Sequence, residues 1–324
     1  MDDRVIRIAT IGTSTIVSTF VGAASAVPEV AIATAYSRDA ERGERFARAN
    51  GIPAVSTDLA ALLASGEVDA VYVASPNGIH ERQARQAIEA GVHVLLEKPV
   101  TPTAAEFAAL VDLARERGVV VLEAMRSAYD PAYEAIADAL SRLGRIRRAS
   151  LGYCQRSARY DLVLAGETPN IFDPALSGGA LSDLGVYCAS AMVRLFGEPS
   201  RIAGALVPIA TGADGAGAAL AVYDGFVVDL SFSKISASAR PCEIQGELGT
   251  LVFDHVGQPT LVELALFDGT TERFEFPKRP SNMVHEIRRF AELLRGGGGA
   301  AADNARTLAT MRVVEAIRAS AAEE

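Results

Sequence analysis

The feature that most constrains the fold is a regular alternation of short apolar runs and helical patterns over residues 1–122. The runs VIRIATIG, VAIATAYS, VDAVYVAS, HVLLEKP and VVVLEA are typical of strands that are buried on both faces of a sheet. The stretches between them read as helices, and two of these begin at capping residues, Asp39 and the Thr103–Glu106 capping box. Strands that alternate with helices predict a parallel, doubly wound sheet with right-handed crossovers.

The pattern changes after residue 122. A helix (PAYEAIADALSRLG) and a strand (RIRRASLGYCQRS) lead into a loop over residues 158–177, and a helix is predicted from Gly178 through GGALSDLGVYCASAMVRLFG. The later apolar runs are separated only by turn residues, which predicts an open, mainly antiparallel sheet, and two helices close the chain. We therefore predict two domains, an α/β domain over residues 1–122 and an α+β domain over residues 123–324.

Composition excludes several classes of function. The formal net charge of the 324 residues is −9, so we expect neither nucleic acid nor an anionic membrane surface as a partner. The three cysteines lack CxxC spacing, which argues against a disulfide framework or a zinc site, and no other metal-ligand spacing is visible. The N-terminus lacks the pattern of a signal peptide, and no apolar stretch is long enough to span a membrane. We expect a soluble, cytoplasmic protein that acts on a small molecule.

The segment RIATIGTSTIVSTF has the strand, glycine turn and helix with which dinucleotide-binding folds open. Only the first of the three glycines of that pattern is kept, as Gly12, while Ser14 and Val17 replace the others. Backbone amides at the start of the following helix would still attract a phosphate. From this turn alone, a cofactor site and a purely structural turn are equally open. As a cofactor site it would use Gly12, Thr13, Ser14, Thr15 and Ile16.

The end of the second predicted strand bears on which cofactor would bind. NAD-specific sites place an acidic residue there to bind the ribose diol, whereas this chain has Ser37 and Arg38. A guanidinium forms charge-assisted hydrogen bonds to phosphate, so both residues suit the 2′-phosphate of NADP. We predict NADP(H) in preference to NAD(H). The alternative is a surface arginine at a strand end.

A second loop at the same edge of the predicted sheet is ASPNGIH, residues 74–80. It follows a buried strand at its carboxyl end, where ligands bind in open α/β sheets. Ser75, Pro76 and Asn77 are predicted to shape a turn beside the dinucleotide. His80 is predicted either to contact the cofactor or to serve only as a residue of the first helical turn.

The strongest short motif is LLEKPV, residues 95–100. Lysine at a buried strand is costly unless it is paired or used, and Pro99 keeps Lys98 out of helical geometry. An ammonium there could bond to the nicotinamide ribose and to a substrate hydroxyl, beside Glu97. The alternative is a structural ion pair between Lys98 and Glu97.

The third motif, SGGALSDLGVYCAS, lies over residues 177–190. Asp183 and Tyr187 are four residues apart, so a helix would present them on one face. A carboxylate and a phenol can hold a diol and transfer one proton, provided that a cation such as Lys98 helps the phenol to ionise. The alternative is an amphipathic helix with Asp183 near its positive end.

These motifs, in this order, resemble the two-domain oxidoreductase family named after glucose–fructose oxidoreductase and inositol dehydrogenase (Gfo/Idh/MocA). The resemblance covers nearly the whole chain, and EAM at residues 123–125 together with Pro131 is similar to the family's Tyr-type branch. It implies a Rossmann domain that binds NAD(P) over residues 1–122 and a substrate-binding and oligomerisation domain over residues 123–324. It also implies a catalytic set of Lys98, Asp183 and Tyr187.

The implied reaction is reversible hydride transfer between nicotinamide and a secondary alcohol of a sugar, inositol or related polyol. Two alternatives stay open: a non-catalytic, dinucleotide-dependent sensor, and a hydrolase or lyase that uses nicotinamide transiently. Arg126 is a candidate substrate contact because it directly follows the EAM motif, and Tyr160 is another because it belongs to RSARYD, residues 156–161, which leads into the long loop. The open sheet predicts a homodimer or homotetramer formed through it.

Overall fold

The computed structural model describes residues 4–322 and divides them into two compact units. The first unit runs to Arg126 and takes up Ser281–Ala305, and the second consists of Ser127–Pro280 and the segment from Arg306 onwards. The sequence placed all of residues 123–324 in one domain, with a boundary that falls inside the strand Val121–Ala124. In the structure, the chain instead returns to the first unit after it has built the second.

The first unit contains a six-stranded parallel sheet, in the order β3-β2-β1-β4-β5-β6. This confirms the doubly wound α/β fold. The short edge strand β3 was not predicted, because its three residues are too few to show a periodicity. The strands are β1 Ile6–Ile11, β2 Val30–Tyr36, β3 Ala54–Ser56, β4 Ala70–Val73, β5 His93–Glu97 and β6 Val121–Ala124. The helices between them are α1 Thr15–Ala24, α2 Ala40–Asn50, α3 Leu59–Ala64, α4 His80–Glu89 and α5 Ala104–Arg117.

The predicted helix caps of the first unit are largely confirmed. Asp39 accepts the backbone N–H of Arg42 at 2.9 Å, and Thr103 and Glu106 form the reciprocal capping box of α5. The pattern STDLAALLASG predicts a helix start at Ser56 or Thr57, whereas in the structure Asp58 caps helix α3, which begins at Leu59. These local bonds explain why the helix starts were readable from the sequence.

The core of the first unit lies around the central strands. Phe20 of α1 stacks on Tyr72 of β4, with ring centroids 3.7 Å apart, and both rings are fully buried. At the opposite end of β1, Arg7 donates two side-chain bonds and its backbone N–H to the carboxylate of Asp69. This network ties β1 to the start of β4.

The second unit contains an eight-stranded sheet, in the order β14-β13-β12-β11-β7-β10-β9-β8. All neighbouring strands are antiparallel except β7 and β10, which confirms a mainly antiparallel sheet. The strands are β7 Ile146–Cys154, β8 Arg201–Pro208, β9 Asp214–Tyr223, β10 Phe226–Ser233, β11 Cys242–Gly246, β12 Gly249–Phe253, β13 Leu261–Leu266 and β14 Thr271–Glu275.

The helices of the second unit differ from the sequence-based expectation in two places. The predicted loop over residues 158–177 contains the short helix α7 Tyr160–Leu164. The helix predicted from Gly178 begins at Leu181, as a π-helical turn Leu181–Gly185 that continues into α8. The remaining helices of the second unit are α6 Ala132–Leu140 and α8 Val186–Phe196. Helix α9 Met283–Leu294 belongs to the first unit, and α10 Ala301–Ala321 begins in the first unit and continues into the second.

One face of the second sheet carries exposed side chains. Val207 of β8 and Leu220 of β9 are about half exposed, while Val228, Leu230 and Phe232 of β10 are buried. A homodimer or homotetramer that uses this face stays a prediction. Among the helices of residues 4–322, none is long and apolar enough to cross a membrane.

Candidate active site

The turn after β1 requires glycine at its first position. Gly12 has a φ of +130°, and a Cβ added there would lie 2.6 Å from the carbonyl oxygen of Ala74. Val17 is fully buried beneath the turn, where the pattern has its third glycine. Ser14 is the N-cap of α1, and residues 14–16 are exposed. The start of α1 therefore offers accessible amides with the polarity that binds a phosphate.

A cavity of about 460 Å³ lies within the first unit, beside the end of β2. Two guanidinium groups line it, Arg38 after β2 and Arg82 from α4. Neither has an ion-pair partner among residues 4–322, and the carboxylate in the cavity wall, Asp58, accepts the backbone N–H of Ala61. The cavity therefore offers two unneutralised cations to an anionic ligand.

The side chain of Ser37 does not line that cavity, whereas the side chain of Arg38 does. The Ser37 side chain is buried, and its Oγ donates to the carbonyl oxygen of Asp39 at 2.8 Å. This bond holds the turn that starts α2. The structure therefore gives Ser37 a role in shaping the loop, and a contact from Ser37 to a cofactor stays a prediction.

The ring of His80 contacts the backbone of the loop after β4 and helps to hold it in place. The ring is almost fully buried, with Nε2 2.8 Å from the Ser75 carbonyl and Nδ1 3.1 Å from the Pro99 carbonyl. Burial lowers the pKa of His80, so the neutral ring donates to only one of these two acceptors. Ser75 also donates its hydroxyl to Gln83 at 2.6 Å, while Asn77 begins a turn of 3₁₀ helix. His80 thus connects the ASPNGIH loop to the EKP motif.

The EKP motif places Lys98 at the carboxyl end of β5. Both carboxylate oxygens of Glu97 accept hydrogen bonds, one from the hydroxyl of Tyr72 at 2.6 Å and one from the backbone N–H of Lys98 at 3.0 Å. Burial raises the pKa of Glu97, and the nearby charge of Lys98 opposes that shift. The Lys98–Pro99 peptide bond is cis. Lys98 itself is half-buried, with its backbone fixed on both sides.

A further carboxyl group, which no sequence motif indicated, lies in the same unit. Glu286 of α9 is fully buried, and neither oxygen has a hydrogen-bond partner in the described part of the chain. Burial and the charges of Glu97 and Glu123 raise its pKa well above the usual range, while Arg126 and Lys98 oppose this shift. The end of β5 therefore lies near several carboxyl groups and two cations, and burial favours the neutral form of the carboxyl groups Glu97 and Glu286.

The π-helical turn of the second unit carries Asp183. Lys234, which follows β10, forms an ion pair with this carboxylate, and its own side chain is only 5% exposed. The Asp183 side chain is 25% exposed, so part of it remains accessible to a ligand. Lys234 also lies over the ring of Phe172, 5.7 Å from the centroid.

Tyr187 lies one turn further along, at the start of α8. It is buried, and its ring meets the ring of Tyr153 edge-on at 5.4 Å. Tyr153 in turn meets His255 at 4.6 Å, and the Nδ1 atom of His255 accepts the backbone N–H of Gly257. Packing therefore fixes the orientation of the phenol ring of Tyr187.

The segment around Tyr160 reaches the neighbourhood of Asp183. The ring of Tyr160 lies 6.0 Å from that of Phe172, the same ring over which Lys234 lies. Arg156 is neutralised by Asp161 and stacks on Tyr160. Tyr160 is thus connected to the predicted site of the second unit, and a contact of Tyr160 or Arg126 with substrate stays a prediction.

Two residues of these sites were missed from the sequence, Arg82 and Lys234. Arg82 stands in the pattern HERQARQ, where charged residues are typical of a solvated helix face. Lys234 ends an apolar strand just as Lys98 does, and lysine occurs at only three positions of the chain, 98, 234 and 278. Lysine at a strand end was therefore the available signal. No group of three His, Cys, Asp or Glu side chains within residues 4–322 is arranged to hold a metal ion.

Two sequence profiles match most of the chain. The profile described as "Oxidoreductase family, NAD-binding Rossmann fold" matches residues 6–125, and the profile described as "GFO/IDH/MocA C-terminal domain" matches residues 132–252. The two matches follow one another along the chain, as the motifs do.

Characterised relatives and solved structures agree with these profiles. The chain is 38% identical to scyllo-inositol 2-dehydrogenase (NADP(+)) IolU of Bacillus subtilis over 97% of its own length and 96% of that protein. It is 32% identical to dTDP-3,4-didehydro-2,6-dideoxy-alpha-D-glucose 3-reductase of Streptomyces violaceoruber, over 92% of this chain and 90% of the relative. A 3-ketoreductase from Actinomadura kijaniata, solved in complex with TDP-benzene and NADP, is similar with a TM-score of 0.84 and 27% identity over 98% of both chains.

Proposed function

Since the chain belongs to the Gfo/Idh/MocA oxidoreductase family, we propose that it transfers a hydride between NADP(H) and a secondary alcohol or ketone of a sugar, an inositol or a related polyol. The observation that carries the proposal is the near full-length similarity to an NADP-dependent inositol dehydrogenase. A sugar ketoreductase at 32% identity supports the same class of substrate.

The first unit fits a dinucleotide on its own geometry. Gly12 leaves room that a side chain would fill, and the accessible amides at the start of α1 suit the pyrophosphate. The cavity with Arg38 and Arg82 suits an adenosine that bears a 2′-phosphate. When bound, the nicotinamide supplies the hydride acceptor or donor. The cofactor-binding residues we propose are Gly12, Thr13, Ser14, Thr15, Ile16, Ser37, Arg38, Ser75, Pro76, Asn77, His80, Glu97 and Lys98.

We assign the chemistry of the substrate hydroxyl to three side chains. Tyr187 exchanges the hydroxyl proton, because a phenol held by its neighbours can act as a general acid or base. Lys98 stabilises the developing alkoxide with its positive charge. Asp183 binds a second hydroxyl and orients the substrate carbon, since its carboxylate is partly exposed.

The proposal is tested with purified protein, NADP⁺ and a panel of inositols and aldoses that includes scyllo-inositol, with reduced nicotinamide followed by absorbance. We expect turnover with at least one member of the panel, and more with NADP⁺ than with NAD⁺. Lys98→Met is expected to lower kcat by about 10²- to 10⁴-fold. Lys278→Met is the matched control, because Lys278 is exposed and lies outside every helix and strand.

The same experiment separates the two rival functions. Tight NADPH binding without turnover of any polyol would indicate a sensor. Conversion of substrate without net reduction of cofactor would indicate a lyase or hydrolase. Full activity in Lys98→Met would remove Lys98 from the catalytic set.

A further inference from the structure

Lysine is rare in this chain, and its three positions are not equivalent. The sequence has 31 Lys and Arg residues, of which three are lysines and 28 are therefore arginines. Lys278 is exposed, Lys98 belongs to the EKP motif, and Lys234 is 4% exposed. A buried lysine is costly unless its charge is compensated. Most basic residues of this chain are arginines, and Lys234 is a buried cation of the second unit.

The backbone around Lys234 is fixed from both sides. Its N–H donates to the carbonyl oxygen of Gly215 at 2.8 Å, and its carbonyl oxygen accepts the N–H of Ser157 at 2.8 Å. Just before it, Ser233 bonds to the hydroxyl and the backbone N–H of Ser236. The side chain therefore starts from a defined position at the end of β10.

The partner of Lys234 is held equally firmly. The π-helical turn that carries Asp183 is anchored where Leu181 donates its N–H to Asp214 at 2.6 Å. Arg318 donates to the hydroxyl of Ser182 at 3.0 Å, on the neighbouring residue of the same turn. π-Helical turns occur often at functional sites, because the extra residue per turn re-aims the side chains. Hydrogen bonds therefore hold the backbone from which the Asp183 side chain reaches Lys234.

We propose that Lys234 is a positioning residue, whose buried ammonium holds the carboxylate of Asp183 in the orientation that receives the substrate. The role rests on the proposed function, since it acts through Asp183. The burial of Lys234 strengthens this ion pair. Because the ammonium is shielded from solvent, it interacts with the carboxylate of Asp183 rather than with water. The solvent-accessible part of the Asp183 side chain is then available to the substrate in a fixed orientation.

The test is a double-mutant cycle with Lys234→Met and Asp183→Asn, with Lys278→Met as control. Lys234→Met is expected to lower kcat/KM for the polyol by about 10- to 100-fold, the usual effect of losing a partner that orients a functional group. The Kd for NADPH, measured by fluorescence in the absence of substrate, should change less than about 3-fold, because Lys234 is not one of the proposed cofactor contacts. In the Asp183→Asn background, Lys234→Met should cause little further loss of activity.

Thermal unfolding provides a readout without substrate. Lys234→Met should lower Tm because it leaves a carboxylate without its buried partner, and adding Asp183→Asn should restore part of the loss. If Lys234→Met proves too unstable to assay, Lys234→Gln supplies the same comparison. Equal activity of the Lys234 variants and wild type, with Asp183→Asn strongly impaired, would overturn the positioning role while leaving the proposed function intact. A wild-type protein that turns over no polyol refutes the proposed function, and the positioning role with it.

Discussion

Replacing Arg38 and Arg82 by alanine should reduce the affinity for cofactors that carry a 2′-phosphate. Both guanidinium groups line one cavity and have no ion-pair partner among the residues described. A hydrogen bond to a charged group contributes about 1.5–3 kcal/mol, and because both arginines are exposed we take the lower end, about 1.5 kcal/mol each. Since about 1.4 kcal/mol corresponds to a factor of ten, each substitution should raise Kd about 10-fold and both together about 100-fold.

Isothermal titration with 2′,5′-ADP and with 5′-AMP measures this effect without any chemistry. The variants should lose affinity for 2′,5′-ADP, and their affinity for 5′-AMP should change less than about 3-fold. The loss should shrink at high salt, because exposed charges are screened. Arg45→Ala is the matched control, since Arg45 is exposed on α2 and already paired with Glu41.

Two results would refute this reasoning. An equal loss of affinity for both nucleotides would show that the arginines contact the base or the 5′-phosphate. Unchanged affinity for 2′,5′-ADP in the double variant would exclude the cavity as the phosphate site. An effect confined to Arg38→Ala would remove only Arg82 from the assignment.

Three further substitutions test the first unit. Gly12→Ala should weaken NADPH binding at least about 10-fold and lower Tm. The added Cβ would lie 2.6 Å from the carbonyl oxygen of Ala74, and the positive φ at this position costs a non-glycine residue about 1–3 kcal/mol. Unchanged NADPH binding in a fluorescence titration would contradict this prediction. Phe20→Ala should lower the free energy of unfolding in urea by about 3–5 kcal/mol, as for other fully buried rings, and a change below about 1 kcal/mol would show that the stack on β4 is dispensable. Asp69→Asn should destabilise the protein at neutral pH. Bonds from Arg7 lower the pKa of Asp69, so the stability it contributes is present above the usual carboxyl pKa and is lost as pH falls through the lowered value; a difference in stability from wild type that does not shrink on acidification would contradict this assignment.

The parts of the fold that the sequence predicted are those set by local patterns. The apolar runs of β1, β4 and β5 are continuous because both of their faces are largely buried, so the sequence pattern was sufficient to predict a parallel sheet. The capping box of α5 lies within four consecutive residues, and its bonds join residues three apart. Such features need no knowledge of distant contacts.

The parts that were missed depend on residues far apart in the chain. Asp183 and Lys234 are 51 residues apart, and nothing local shows that an ammonium will meet the carboxylate. The π-helical turn is likewise not encoded in the spacing of its own apolar residues, since a bond from Leu181 to Asp214 helps to support it. Arg38 and Arg82 line the same cavity because of the order of the strands. The sequence predicted the class of fold, but not this order.

The return of the chain to the first unit has a consequence for how the protein is synthesised. Helix α9 buries Ile287 and Phe290 completely, and it packs against α1 and β6. The first unit therefore cannot be complete until its final helix, some 160 residues beyond Arg126, has left the ribosome. A gene fragment that stops at Arg126 would leave an apolar surface uncovered, so a transplanted cofactor module must carry residues 281–305 as well.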